Sequence, residues 1–279
     1  PANSAFSPMT TIKTILLALL AVVPCSIAWA QSERIVTNAR MVGIGGAEEL
    51  DTYLSPLHYR GTELRYISHT LREKTDTTRL FHEIIHQGSL SLLENKSGYG
   101  GEMAGSYNFQ YGWHWHLCDF HFKGSTLRLD VGGNIDANIG FIYNTRNSNN
   151  PAQARAYLNL TPTAAATYTL HWRHPLAVRY EVWLPVAGVM FSPNYGQSYY
   201  EIFSKGNYDH NVVPTWVGNA PSMRQMLTVD YSLWGTTLRA GYLGDYQQAS
   251  VNHLKSHIYT HAFVIGVVRK FSIQKIKQP

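Results

Sequence analysis

The chain has 279 residues and a formal net charge of +5, with only 15% charged residues where a soluble domain usually has about 25%. So small and unclustered a positive charge gives no ground for a nucleic-acid partner. Outside the N-terminus no apolar run approaches the roughly 20 residues that a membrane-spanning helix needs, which leaves membrane-spanning strands open because they alternate and keep mean hydropathy near neutral.

Residues 1–8 read as upstream sequence and Met9 as a start. Lys13, the apolar run ILLALLAVV (15–23) and the small-x-small triplet Ala28-Trp29-Ala30 predict a removed signal peptide over residues 1–30. Pro24 before Cys25 argues against lipoprotein processing. Cys118 is then the one cysteine of the mature chain. An exported chain without a disulfide needs another source of stability, and a closed sheet in lipid is one. Residues 31–52 show no clear strand pairing and are expected to be a short periplasmic segment, a first edge or a plug, with GIGG (43–46) as a plain turn rather than a nucleotide loop.

From Tyr53 onward, period-2 segments alternate with turn residues, the pattern of strands. They are LRYISHTLREK (64–74), TRLFHEIIHQGSLSLLEN (78–95), SYNFQYGWHWHL (106–117), STLRLDVGG (125–133), IGFIYNTR (139–146), TYTLHWRH (167–174), LAVRYEVWLPV (176–186) and LTVDYSLWGTTLRAGYLGDY (227–246). Most connections are short, such as His174-Pro175 and Trp234-Gly235-Thr236. The long irregular stretch is 191–222, rich in Tyr.

In these segments one face is apolar and the other carries charges of both signs. Leu227, Val229, Tyr231, Leu238 and Tyr242 oppose Thr228, Asp230 and Arg239. A basic residue at mid-strand on a lipid face costs a few kcal/mol, so in a membrane barrel the charged faces point into the lumen and the apolar faces outward. Tyr107, Trp115, Tyr168, Trp172, Tyr242 and Tyr246 sit where an aromatic girdle would. A soluble β-sandwich is the rival reading, with the charged faces in water.

The segment IYTHAFVIGVVRKF (258–271) sets Phe263, Ile265 and Val267 against Ala262, Val264 and Gly266 and ends its strand on Phe271. It resembles the C-terminal assembly signal of Gram-negative outer-membrane barrels, which implies barrel assembly machinery as a partner; here residues 272–279 follow as a tail. More broadly, GNIDANIGFIYNTRNSNNPA (133–152), LPVAGVMFSPNYGQSYYEIF (184–203) and HIYTHAFVIGVVRKF (257–271) resemble an uncharacterised family of outer-membrane barrels, a domain of unknown function. The resemblance covers most of residues 50–271. It implies an all-β, transmembrane, antiparallel up-and-down barrel over 53–271, of about 12 strands, and carries no activity with it.

The lumen candidates are Arg128, Asp130, Arg179, Glu181, Asp230 and Arg239, joined by His114 and His116 two residues apart. Two His at i and i+2 fall short of the ligand count of a zinc site, so no metal and no cofactor is expected. Tyr195, Tyr199, Tyr200 and Trp216 are the surface-loop candidates, able to stack on a ligand or to constrict the mouth. No His-x-Ser pair and no G-x-S-x-G elbow is present, so no catalytic residue is assigned. The leading reading is an outer-membrane barrel of no assigned role, for which passage of small solutes is the most concrete function to test. Its rivals are a barrel enzyme acting on membrane lipid and a plugged structural or surface-binding barrel.

Overall fold

The computed structural model describes residues 34–74, 79–148, 150–233 and 235–273; the expected signal peptide and Trp234 lie outside them. The described chain holds twelve antiparallel strands: β1 (Arg34–Asp51), β2 (Ser55–Lys74), β3 (Leu80–Asn95), β4 (Gly101–Phe122), β5 (Ser125–Asn144), β6 (Ala152–Leu170), β7 (Leu176–Trp183), β8 (Ala187–Phe191), β9 (Val212–Trp216), β10 (Met223–Leu233), β11 (Thr236–Val251) and β12 (Leu254–Ile273). One short helix, α1 (Tyr199–Phe203), precedes β9.

The strand order closes on itself. β1 pairs with β2 on one side and with β12 on the other, and β5–β6 and β6–β7 complete the ring. Ten strands form this ring: β1 to β7 and β10 to β12. β8 and β9 pair with each other, and β8 pairs with β6 beyond the end of β7. The Leu184 and Val186 N–H groups donate to the Pro162 and Leu160 carbonyls at 3.0 Å each, so β7 and β8 run along β6 as one interrupted strand. Closure pairs both edges of the ring strands over most of their length, which lipid cannot do.

The reading of residues 31–52 as a periplasmic or plug segment is corrected here, in favour of a strand. Residues 34–51 are the first strand of the barrel, and GIGG lies in its middle rather than in a turn. The glycines hide the alternation because they contribute no side chain to either face, while Ala39 and Met41 point in and Val42 and Ile44 point out. Gly45 also sets the seam: a Cβ there would collide with the His261 carbonyl of β12. The stretch 191–222 is likewise more regular than expected, because it contains α1 and β9. β12 runs two residues past Phe271, to Ile273.

Sidedness follows the alternation. Leu227, Val229, Tyr231, Leu238 and Tyr242 are exposed, while Thr228 and Arg239 are buried. Val42, Ile44, Leu64, Leu90, Ile139, Leu160, Phe263 and Ile265 extend the exposed apolar face around the ring. An apolar surface of that extent is far beyond the few hundred Å² that soluble monomers tolerate. Lipid is the solvent that makes it favourable. The charged faces line the inside, so the soluble-sandwich reading fails.

The two ends differ. β4 turns into β5 through Lys123 and Gly124 alone, with Gly124 at φ +81°, a left-handed position that suits glycine in a two-residue hairpin. This is the end where β1 begins and β12 finishes. The opposite end carries the 192–211 connection and is called the loop end below.

Candidate functional site

The eight lumen candidates point inward: Arg128, Asp130, Arg179, Glu181 and His116 form one connected set, Asp230 and Arg239 a separate pair, and His114 belongs to the central layer. Asp230 and Arg239 are register partners on β10 and β11. Arg239 donates through Nε and Nη2 to the two Asp230 oxygens at 2.6 and 2.7 Å, the fork geometry that makes Arg–carboxylate pairs strong. Arg179 donates in the same way to Glu181 at 3.0 and 2.9 Å, and a further nitrogen lies 3.7 Å from Asp130. Arg128 donates to Asp130 at 2.9 Å and to Glu73 at 2.8 Å. His116 bridges Asp130 and Asp119 at 3.0 Å each. His114 lies deeper and is 1% exposed.

The centre of the lumen is organised by a residue that sequence reasoning missed. Glu83 on β3 has no exposed surface. It accepts from His69 Nε2 at 2.8 Å, from Asn134 Nδ2 at 2.7 Å and from Trp183 Nε1 at 3.3 Å, and His114 Nε2 lies 3.3 Å away. Ala39, Met41, Ile67, Ile85, Met226, Leu243 and Val264 pack with Trp183 around this hub. The signal was blurred because β3 reads LFHEIIHQG: His82 and His86 face out while Glu83 and Gln87 face in, so neither face is purely polar.

Above the hub, a second charged layer crosses the lumen. Arg65 donates to Glu63 at 2.7 Å and to Asp245 at 2.8 Å, and Arg224 reaches Asp245 at 3.2 Å. Asn108 ties this layer to Asp136 and accepts from Arg224 at 3.1 Å. Buried ions persist when paired and hydrogen-bonded; each charge of these layers has a partner, while His69 Nδ1 and Arg224 Nε have none among the described residues. Higher still, Glu49, Asp51 and Glu102 are buried with no ion-pair partner among the described residues. A cavity of about 50 Å³ adjoins the second charged layer and is lined by Arg155, Tyr157, Trp183, Trp216, Met223 and Arg224. It lies where β9 and β11 share no ladder, and where the β9–β10 connection meets β11 through the Ser250 N–H to the Asn219 carbonyl and the Gln248 N–H to Ser222 Oγ.

The loop end is closed by the 192–211 segment. The Tyr199 hydroxyl donates to Gln153 Oε1 at 2.7 Å and accepts from the Ala154 N–H at 2.7 Å. The Tyr53 hydroxyl donates to the Gln197 carbonyl at 3.0 Å. Burial pushes the Tyr53 hydroxyl up to about 12, helped by the nearby Asp51 and Glu201 charges, and burial likewise raises Tyr199. α1 is seated by a capping box: Ser198 Oγ accepts from the Glu201 N–H and the Glu201 carboxylate accepts from the Ser198 N–H. Those bonds hold the Glu201 carboxyl below its ordinary range. Tyr199 packs edge-on against Tyr53 and stacks with Phe203, whereas Tyr195, Tyr200 and Trp216 are exposed. Of the four loop candidates, Tyr199 alone serves the closure.

On the outward face Ser68 and His86 are cross-strand partners. Ser68 Oγ accepts from Asn38, and His86 bonds the Tyr107 hydroxyl instead of Ser68.

A closed antiparallel ring, apolar outside and ion-paired inside, defines a membrane-spanning β-barrel protein. Within that class the chain belongs to the family described as "Protein of unknown function (DUF3316)", whose model matches residues 12–278. No curated protein sequence matches it. Among solved structures it is similar to the outer membrane protease OmpT from Escherichia coli, at 6% identity and a TM-score of 0.47 over 88% of this chain and 99% of that one. It is also similar to the transport unit of the autotransporter AIDA-I from Escherichia coli, at 8% identity and a TM-score of 0.41 over 94% and 99%. The translocator domain of the autotransporter NalP from Neisseria meningitidis is similar at 10% identity and a TM-score of 0.34 over 97% and 100%.

Proposed function

We propose that this chain is an outer-membrane barrel with a side-chain-filled lumen, which acts through its loop end as a binding surface and not as a pore. The observation that carries this reading is the stack of mutually bonded, buried side chains: Arg179–Glu181, then His69–Glu83, then Arg65–Asp245–Arg224. A ring of ten strands is small enough for inward side chains to meet, whereas 16 or more strands leave a water-filled channel. Passage of small solutes would require these ion pairs to part.

An outer-membrane location is supported by the closed antiparallel ring and the apolar belt, since helices and closed barrels are the structures lipid accepts. The end with the short Lys123-Gly124 turn is then periplasmic and the loop end exterior, as in bacterial barrels generally. Membrane lipid and the assembly machinery are the partners this reading requires. The lipid-hydrolase alternative finds weaker support, because Ser68 and His86 face one another without a hydrogen bond between them.

Conductance of the refolded protein in a planar bilayer tests the proposal. Stable insertion with no current is the expected result. A steady current that changes on Arg128→Ala or Arg239→Ala would overturn it in favour of solute passage.

A further inference from the structure

We infer that the loop end carries a zinc site on its outward face, formed by Glu48, His58 and His257. The three residues come from adjacent strands β1, β2 and β12, and their donor atoms all lie within 4.8 Å of one another. His58 Nδ1 is 3.0 Å from Glu48 Oε1. The rings of His58 and His257 approach to 5.2 Å between centroids across β1. Zinc holds imidazole and carboxylate donors at about 2.0–2.2 Å in a tetrahedron, which spaces neighbouring donors at roughly 3.3 Å. The His58–Glu48 distance already suits this, and a His257 ring nitrogen lies within 4.8 Å of both donors.

Two imidazoles and one carboxylate favour zinc over calcium or magnesium, which take oxygen donors. Three protein ligands leave a fourth position for water or for a donor atom of a surface ligand. The site is open to solvent, the His58 and Glu48 side chains being 53% and 26% exposed. His257 is braced by parallel stacking on Tyr259, with centroids 5.0 Å apart. One interaction competes: Arg60 holds Glu48 at 3.0 Å. A second cluster, His69, Glu83 and Glu181, has equally close donors. There Arg179 occupies both Glu181 oxygens and four donors surround Glu83, so the charge a cation would supply is already present.

The zinc site stands apart from the filled-lumen reading, since it lies outside the ring and a conducting barrel would keep it. Its test uses the full chain without a purification tag, refolded in detergent and stripped of metal. Calorimetric titration with Zn²⁺ alone, and the visible absorption of Co²⁺ as a four-coordinate probe, read occupancy. The expected result is one ion per chain. His58→Ala and His257→Ala should each weaken binding by up to about 100-fold, the upper range even for losing a supporting partner of a metal ligand. Arg60→Ala should tighten binding by up to about fivefold, the worth of an exposed ion pair. Two outcomes would overturn the site: no binding by the unaltered chain, or binding unmoved by both His substitutions because the ion sits among others of the 13 histidines. All three substitutions lie at an exposed rim, and gel mobility of the folded barrel confirms that each variant is native.

Discussion

Replacing Glu83 by Ala removes the acceptor on which the central layer converges. His69 Nε2, Asn134 Nδ2 and Trp183 Nε1 donate to this carboxylate, with His114 Nε2 alongside. Each buried donor left without an acceptor costs about 1–3 kcal/mol. The full sum is not reached, because the carboxylate no longer has to be desolvated and water enters the space. A net loss of about 3–5 kcal/mol is expected, the range for breaking a buried pair by removing one partner. Glu83→Gln keeps the shape and one acceptor oxygen, so its expected cost is smaller, about 1–3 kcal/mol. Urea unfolding of the refolded protein in vesicles, followed by tryptophan fluorescence and gel mobility, measures both. Neither variant should conduct, because the Arg179–Glu181 and Arg65–Asp245 pairs remain on either side. If both variants unfold within about 0.5 kcal/mol of the parent, as neutral surface changes do, the central network is not what holds the lumen together.

Three further outcomes are expected. Val229→Arg places a cation on the lipid face of β10 and should cost about 2–4 kcal/mol at mid-membrane depth; urea titration in vesicles measures it, and no loss would reverse the facing of that strand. Gly45→Ala forces a side chain into the backbone of β12 at His261, so the β1–β12 seam should form poorly, seen as a loss of the heat-modifiable folded band on gels. Tyr53 keeps its proton to about pH 12 in the folded chain while an unfolded Tyr ionises near 10. Between those values the unfolded state holds fewer protons, so stability from this contact is full below about pH 10 and falls as pH rises. Proteolysis of the 192–211 segment should therefore accelerate over that window in the parent more steeply than in Tyr53→Phe, and equal pH dependence would remove Tyr53 from the closure.

The sequence determined the sidedness of this barrel. In LTVDYSLWGTTLRAGY the period-2 pattern separates Leu227, Val229 and Tyr231 from Asp230 and Arg239, and a charge in lipid costs so much that inward is the one stable direction for them. It also set Arg179 with Glu181, and Arg128 with Asp130, on one face of their strands, since residues two apart on a strand share a face. The first strand escaped because Gly43, Gly45 and Gly46 carry no side chain to show a face, and its role rests on a neighbour, β12, more than 200 residues away in the chain. The hub at Glu83 escaped for a similar reason. Its partners His69, His114, Asn134 and Trp183 come from four other strands and meet only when the ring closes. Tertiary structure alone decided how the inward charges pair across the lumen, because the chain states which residues face in but not which of them lie opposite. It alone also brought Glu48, His58 and His257 to one rim, by register across the seam that joins the first and last strands.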